Sequence, residues 1–208
     1  MTRIKSAGAR AARLALVRIT LIQGHPDPAG RHFGHALADA YAQYAEDASH
    51  EVKTLEVARL DFPLLRSAED WKQGAPAPAI RAAQEAIAWA EHVVLFFPLW
   101  LGDMPALLKG FLEQALRPGF AIGKAGPGRL PPKLLEGRSA RIVVTMGMPA
   151  FFYSLYYRGH SVKSLKRNVL EFCGFSPVRT SLVGTVEGAS RARELWLAKM
   201  GTFGRAGT

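Results

Sequence analysis

One stretch, His92 to Gly110, constrains the fold more than any other part of the chain. Its first segment, Val93 to Phe97, is a continuous apolar run of β-branched and aromatic residues. That length and composition are typical of a strand buried on both faces of a parallel sheet. Pro98 then interrupts regular structure, and Pro105 stands where a proline fits the first turn of a helix. The stretch therefore predicts a strand, a loop and a helix.

The loop inside this stretch carries two large apolar residues, Trp100 and Leu101. In a doubly wound α/β fold, ligands bind in the crevice outside the carboxyl ends of the strands. The loop is thus a candidate ligand wall. The alternative is a plain core strand, turn and helix without a ligand.

The rest of the chain repeats the alternation of apolar strands and amphipathic helices. This pattern predicts an α/β doubly wound sheet of five strands, with right-handed crossovers placing helices on both faces. The predicted strands are Arg18–Gly24, His50–Leu60, Val93–Phe97, Ala140–Thr145 and Pro177–Val186. The predicted helices begin near Phe33, Ala79, Ala106, Ser161 and Ala189; the fourth ends at Gly174 and the last at Met200, before a frayed tail.

Length and composition indicate one domain. The chain has 208 residues, and no apolar run approaches the roughly 20 residues of a membrane helix. Residues 1–17 are basic and acid-free, with arginines interrupting every candidate signal core, so they predict a disordered or partly helical extension before a domain at 18–208. The single cysteine, Cys173, suits a reducing cytoplasm and a core position.

The net charge of +10 is unevenly distributed. The formal net charge is −6 over residues 19–116 and +11 over residues 117–208. A basic half can attract an anionic nucleotide cofactor, nucleic acid or an acidic membrane surface, or it can simply be solvated. No zinc-finger, basic-zipper or RNP-type motif supports nucleic acid.

The segment after the first strand resembles an anion site. His25 to Gly30 form a loop that leads into a helix N-terminus, where free N–H groups and the helix dipole face a ligand. Arg31 and His32 add donors. A metal set of His25, His32 and His35 is not expected, because their spacing is irregular and no carboxylate cluster accompanies them.

Two later segments have candidate roles in substrate binding. Arg117 to Arg138 is rich in glycine and proline, and such a long loop predicts a substrate cover. After the fourth strand, five aromatic residues follow within seven positions. They predict either a wall for a flat ring or a buried helix start or dimer face, and they are Phe151, Phe152, Tyr153, Tyr156 and Tyr157.

Taken in order, the motifs resemble a known family. They are GHPDPAGRHFGHAL, FPLWLGDMPALLKGFLEQ, TMGM, YSLYYRGH and EFCGF, and they cover about residues 18–200. The chain is similar to the flavodoxin-like NAD(P)H:quinone oxidoreductases, a group that includes DT-diaphorase, modulator of drug activity B and ancillary subunits of glutathione-gated potassium efflux systems. The resemblance implies a parallel sheet of strand order 2-1-3-4-5.

The resemblance also implies an activity and a set of site residues. It implies a tightly bound flavin, FMN or FAD, and two-electron hydride transfer from NAD(P)H to a quinone-like acceptor. Tyr153 and His160 match residues that donate hydrogen bonds near the ring and are the expected catalytic residues. The implied cofactor-binding residues are His25, Arg31, His32, Phe33, Pro98, Leu99, Trp100, Leu101, Gly102, Thr145, Met146, Gly147 and Met148.

Some residues depart from the family pattern. The first loop is longer, Ile122 stands where larger members have a tyrosine, and Met148 replaces part of a glycine pair. These departures leave the quinone range and the choice between FMN and FAD open. The resemblance further implies a homodimer, and the single cysteine indicates a cytoplasmic location. The alternative function is a flavin- or nucleotide-binding regulatory subunit docked on an efflux-type transporter.

Overall fold

The computed structural model describes residues 15–126 and 128–208, which contain one five-stranded sheet. All neighbouring strands are parallel, and their order is β2-β1-β3-β4-β5, so the predicted fold class and strand order are confirmed. The strands are β1 (Arg18–Gln23), β2 (Glu51–Glu56), β3 (His92–Pro98), β4 (Ser139–Thr145) and β5 (Val178–Val183).

The central strand β3 is buried on both faces, as its apolar run predicts. Val93, Leu95 and Phe97 belong to one core cluster, whereas Val94 and Phe96 belong to the cluster on the opposite face. Successive side chains of a strand alternate between faces, so an uninterrupted apolar run fills two cores at once.

Helices cover both faces of the sheet. The first four are α1 (Phe33–Asp47), α2 (Ala68–Gln73), α3 (Pro78–Trp89) and α4 (Ala106–Ala115). The others are α5 (Ala150–Leu155), α6 (His160–Ser164), α7 (Glu171–Cys173) and α8 (Ser190–Ala206). A π-helical segment, Leu165–Leu170, joins α6 to α7, and α7 ends at Gly174, whose φ of 117° is easily adopted by glycine.

Two expectations about the second strand and the segment after it are wrong. The strand ends at Glu56 and passes into a 3-10 turn, Val57–Arg59, rather than continuing to Leu60. Residues 61–79, whose prolines and glycine predict a loop, contain α2, because the Ser67 side chain accepts a hydrogen bond from the Asp70 N–H and so caps a helix of six residues.

The predicted frayed tail is also wrong, because α8 continues to Ala206. Gly201 and Gly204 are buried against α1, and a Cβ atom at Gly204 would overlap the carbonyl oxygen of Tyr41. The glycines that weaken this helix in isolation therefore let it approach α1 closely.

The long loop between α4 and β4 is anchored at its first residue. Buried Arg117 donates hydrogen bonds to the carbonyl oxygens of Gly74 and Asp70, at 2.8 and 2.7 Å. Ala121 and Leu135 are buried in the core. The loop is thus held against the body of the domain over much of its described length.

The N-terminal extension predicted at residues 1–17 lies mostly outside the described residues. Residues 15–17 are described and have neither helix nor strand, and the Val17 N–H donates to Nδ1 of His50 at 3.1 Å. Among the helices of the described ranges, none has the length and apolar character needed to cross a membrane.

His92 makes the stability of this fold sensitive to acid. It is completely buried, and burial, followed by the charges of Arg141 and Arg179, lowers its pKa from 6.5 to about 3. Between these values the unfolded chain binds a proton that the folded chain does not, so stability is lost as pH falls below about 6.5. We expect His92 to contribute a loss of about 2 kcal/mol in the free energy of unfolding between pH 7.5 and pH 5.

Urea unfolding at the two pH values measures this loss. The variant His92→Leu is expected to show a pH-dependent loss about 2 kcal/mol smaller than that of the native chain. Equal losses in the native chain and His92→Leu would contradict the assignment.

Candidate functional site

A cavity of about 510 Å³ opens at the carboxyl ends of β1, β3 and β4. The chain leaves β1 and β3 toward opposite faces of the sheet here, and this change of direction creates a crevice in doubly wound folds. Ten of the predicted cofactor-binding residues line it: His25, Arg31, His32, Phe33, Pro98, Leu99, Trp100, Thr145, Met146 and Gly147.

The loop after β1 is held by its own side chains. Gln23 accepts a hydrogen bond from the His25 N–H and donates one to the carbonyl oxygen of Gly34, which ties the loop to the start of α1. Nδ1 of His25 accepts from the Asp27 N–H at 3.1 Å. In neutral His25, the ring proton therefore lies on Nε2.

Three histidines cluster in this loop. The rings of His25 and His32 stack with 3.9 Å between their centroids. The ring centroid of His35 lies 5.2 Å from that of His25. Burial, then the proximity of His32 and His35, lowers the pKa of His25 to about 4, so His25 is neutral at pH 7. Burial and His32 also lower the pKa of His35.

His32 is paired with a carboxylate rather than with the helix that it precedes. Its Nε2 lies 2.6 Å from Oδ2 of Asp27, and this hydrogen bond lowers the pKa of the exposed Asp27 carboxyl group. His32 is the N-cap residue of α1, yet its side chain makes no capping hydrogen bond. The His35 N–H donates to the carbonyl oxygen of His32, whereas the N–H groups of Phe33 and Gly34 remain available at the cavity.

The charges around this helix end favour an anion. Phe33 and Gly34, the first residues of α1, line the cavity together with the cationic residues Arg31 and Arg193. The helix dipole adds partial positive charge at the same place. Glu187 is an opposing negative charge on the cavity lining.

The loop after β3 forms an apolar wall. The Leu99 N–H donates to the carbonyl oxygen of Thr145, and Trp100 and Asp103 exchange backbone hydrogen bonds at 2.8 and 3.0 Å. These bonds hold the half-exposed Trp100 ring, whose edge lies near His25 at 5.8 Å between centroids. A flat ring could pack on this wall.

Leu101 and Gly102, which were predicted to bind the cofactor, do not line the cavity. Both have positive φ angles, 47° and 80°, and the Leu101 side chain is fully exposed at the tip of the turn. Together they close the tight turn that holds Trp100, so their direct contact with a cofactor stays a prediction.

The loop after β4 supplies the third side of the cavity. The Met146 N–H donates to the carbonyl oxygen of Val183, while the carbonyl oxygen of Met148 accepts from the Thr185 N–H. Thr145, Met146 and Gly147 line the cavity, but Met148 does not. The loop is therefore fixed to the end of β5, and the expected contact between Met148 and a cofactor is also still a prediction.

The two expected catalytic residues lie outside this cavity. Tyr153 is buried, and its hydroxyl group lies 2.7 Å from Oγ of Ser161 and accepts from the Val162 N–H at 3.4 Å. His160 is exposed at the start of α6. Their catalytic role stays a prediction.

Four lining residues were not predicted from the sequence: Gly34, Val186, Glu187 and Arg193. Gly34 follows Phe33, a predicted cofactor-binding residue, so the sequence could have indicated that Gly34 also lines the site. Val186 and Glu187 come from the segment between β5 and α8, and Arg193 comes from the first turn of α8. The loop Arg117 to Arg138, predicted as a substrate cover, contributes no described residue to the cavity lining.

The site combines an electropositive pocket with an apolar wall. Such a site suits a molecule with a flat ring and an anionic end. Within the described part of the chain, no group of three or more His, Cys, Asp or Glu side chains could hold a metal ion.

Proteins of named activity are among those similar in sequence to this chain. Human ribosyldihydronicotinamide dehydrogenase (quinone) is 35% identical over 111 residues, covering 51% of this chain and 47% of that protein. The FMN-dependent NADH:quinone oxidoreductase of Ruegeria pomeroyi is 30% identical over 129 residues, covering 55% of this chain and 63% of that protein. Each match spans less than two thirds of the relative's length.

The fold is shared with solved structures, and a family model matches the chain. The NAD(P)H:quinone oxidoreductase of Methanothermobacter marburgensis superposes with a TM-score of 0.76 at 22% identity, covering 92% of this chain and 96% of that one. Residues 17–200 match the model of the flavodoxin-like fold family. The chain belongs to the flavodoxin-like family, as its motifs indicate.

Proposed function

We propose that the protein is a flavin-dependent NAD(P)H oxidoreductase that reduces a quinone or a similar electrophilic acceptor by two-electron hydride transfer. One observation carries the proposal: the electropositive N-terminus of α1 and the apolar wall at Trp100 line the same cavity. The human and Ruegeria relatives, whose names include quinone reduction, support it.

The residues present suit a flavin. Backbone N–H groups of α1, together with Arg31 and Arg193, would hold the phosphate, and neutral His25 would donate from Nε2. Pro98, Leu99 and Trp100 would pack along the ring, with the Thr145–Gly147 loop opposite. A bound flavin supplies the ability to accept a hydride from NAD(P)H and to pass it to the acceptor.

FMN is the form that we propose, because the Ruegeria relative is named as FMN-dependent. The N-terminus of α1 would receive the single phosphate of a mononucleotide. We also propose a cytoplasmic location, since Cys173 is a free buried thiol and suits a reducing compartment.

Tyr153 and His160 are proposed to act at the edge of the ring. Hydrogen-bond donors there stabilise the negative charge that hydride transfer creates, and histidine can also supply a proton near neutral pH. In the present geometry the Tyr153 hydroxyl group is hydrogen-bonded to the Ser161 Oγ and accepts from the Val162 N–H. Tyr153 would therefore need to reorient to donate to a ligand.

We further propose a homodimer formed through α5. This helix and the turn after it expose large apolar side chains, of which Phe152 and Tyr156 are stacked with 5.2 Å between ring centroids. Exposed apolar surface of this kind is typical of an interface. The exposed residues are Phe151, Phe152, Leu155, Tyr156 and Tyr157.

Absorbance and mass spectrometry of the purified protein test the flavin proposal. We expect the yellow spectrum of a flavin, release of FMN, and oxidation of NADH or NADPH that is stimulated by a quinone. Colourless protein that FMN and FAD both fail to reconstitute would refute the proposal. Robust turnover without any membrane partner would contradict the alternative of a transporter regulatory subunit.

A further inference from the structure

A second cavity, here called the basic crevice, lies between α6 and the edge strand β5. It has a volume of about 290 Å³, and its lining includes Arg158, Lys163, Lys166, Thr180 and Leu182. It shares no lining residue with the candidate flavin cavity. Tyr153, which is proposed to act at the edge of the flavin ring, also lines the crevice, but the proposed hydride transfer uses none of the cationic residues there.

The charge of the basic crevice is almost uncompensated. Three of its lining side chains are cationic and none is acidic. Lys166 lies 3.8 Å from Glu171, whereas no carboxylate in the described ranges lies within 4.0 Å of Arg158 or Lys163. The crevice also belongs to the half of the chain that carries +11, so the surrounding potential favours an anion.

The backbone brings these cations together. Arg158 and Gly159 both have left-handed conformations, with φ angles of 53° and 60°, and the Gly159 N–H donates to the carbonyl oxygen of Tyr153. Lys163 and Lys166 are three residues apart in the helical segment that follows, a spacing that puts both side chains on one face.

The basic crevice lies close to the candidate flavin cavity along the chain. Gly147 lines that cavity, and α5, a helix of six residues and thus about 9 Å long, begins three residues later and contributes Tyr153 and Ser154 to the lining of the crevice. NADPH and NADH carry the same reacting ring and differ in one 2′-phosphate on the adenosine ribose. A discriminating enzyme therefore needs cations away from the ring.

We propose that the basic crevice binds the 2′-phosphate of NADPH and makes NADPH the preferred reductant. This inference rests on the proposed oxidoreductase function. Arg158 supplies a planar donor for phosphate oxygens, while Lys163 and Lys166 supply further positive charge. NADH lacks the group that these side chains recognise.

The kinetic test compares the two reductants in one double variant, Lys163→Gln with Lys166→Gln. We expect kcat/KM for NADPH to fall about tenfold, whereas kcat/KM for NADH stays within about twofold. The control, Lys72→Gln with Arg81→Gln, makes the same change in net charge on α2 and α3 and should leave both values unchanged. An unchanged NADPH/NADH ratio in the first variant, or an equal fall in the control, would overturn the proposal.

A binding measurement separates this inference from the proposed function. Calorimetry with adenosine 2′,5′-bisphosphate and with adenosine 5′-monophosphate requires no turnover. We expect the bisphosphate to bind the native protein more tightly, and the double variant to lose that difference while retaining native circular dichroism. Equal affinities for the two probes in the native protein would overturn the inference, even if NADH oxidation proceeds.

Discussion

Replacing Gly204 with valine is expected to lower the free energy of unfolding by about 3 kcal/mol. A Cβ atom at this position overlaps the Tyr41 carbonyl oxygen and comes close to the Ala45 nitrogen, which are backbone atoms of α1. Backbone inside a buried helix cannot rotate away as a side chain can, so α8 and α1 must separate. Separation would expose the apolar cluster that both helices share, including Met200 and Leu37.

Thr202→Val is the matched control for this change. Thr202 is on the same helix but exposed, so the same new side chain should change stability by no more than about 0.5 kcal/mol. Urea unfolding followed by circular dichroism measures both variants. Native stability in Gly204→Val would show that the two helices tolerate a wider spacing than the structure has.

The α8 result shows where sequence reasoning fails for the fold. The strand at Val93–Phe97 was predictable because a local apolar run is sufficient to place it between two cores. The segment 201–208 contains three glycines, which weaken a helix when judged locally. Its actual conformation depends on contact with α1, more than 150 residues earlier, and no local pattern encodes that contact.

The residues of the candidate site likewise include some that local sequence could predict and some that only the fold brings together. His25, Arg31 and Trp100 were predictable because each follows a recognisable strand, and parallel strands bring such loops to one edge. Arg193 was not predictable, because it lies in the first turn of α8 and only the fold brings that turn to the cavity. The sequence of the aromatic segment did not indicate which of its rings would be buried. In the structure Tyr153 is buried, whereas Phe151 and Tyr156 are exposed.

Arg193 and Glu187 give the sharpest test of the phosphate end of the cavity. Both line it, and their charges are opposite. If a phosphate binds at the α1 N-terminus, Arg193→Gln should weaken FMN binding about tenfold, and adding Arg31→Gln should bring the loss to about 100-fold. Glu187→Gln removes a repelling carboxylate, so it should strengthen FMN binding by a few fold.

Titration of the flavin-free protein with FMN and with riboflavin, followed by flavin fluorescence, measures these effects. Riboflavin has the same ring without the phosphate. Its affinity should therefore be similar in the native protein, Arg193→Gln, the double variant with Arg31→Gln, and Glu187→Gln. Arg191→Gln is the matched control, because Arg191 lies in the same helical turn but does not line the cavity. Equal losses of FMN and riboflavin affinity in Arg193→Gln would place Arg193 at the ring instead. Equal FMN affinities in Arg193→Gln, Glu187→Gln and the native protein would move the phosphate away from this end of the cavity.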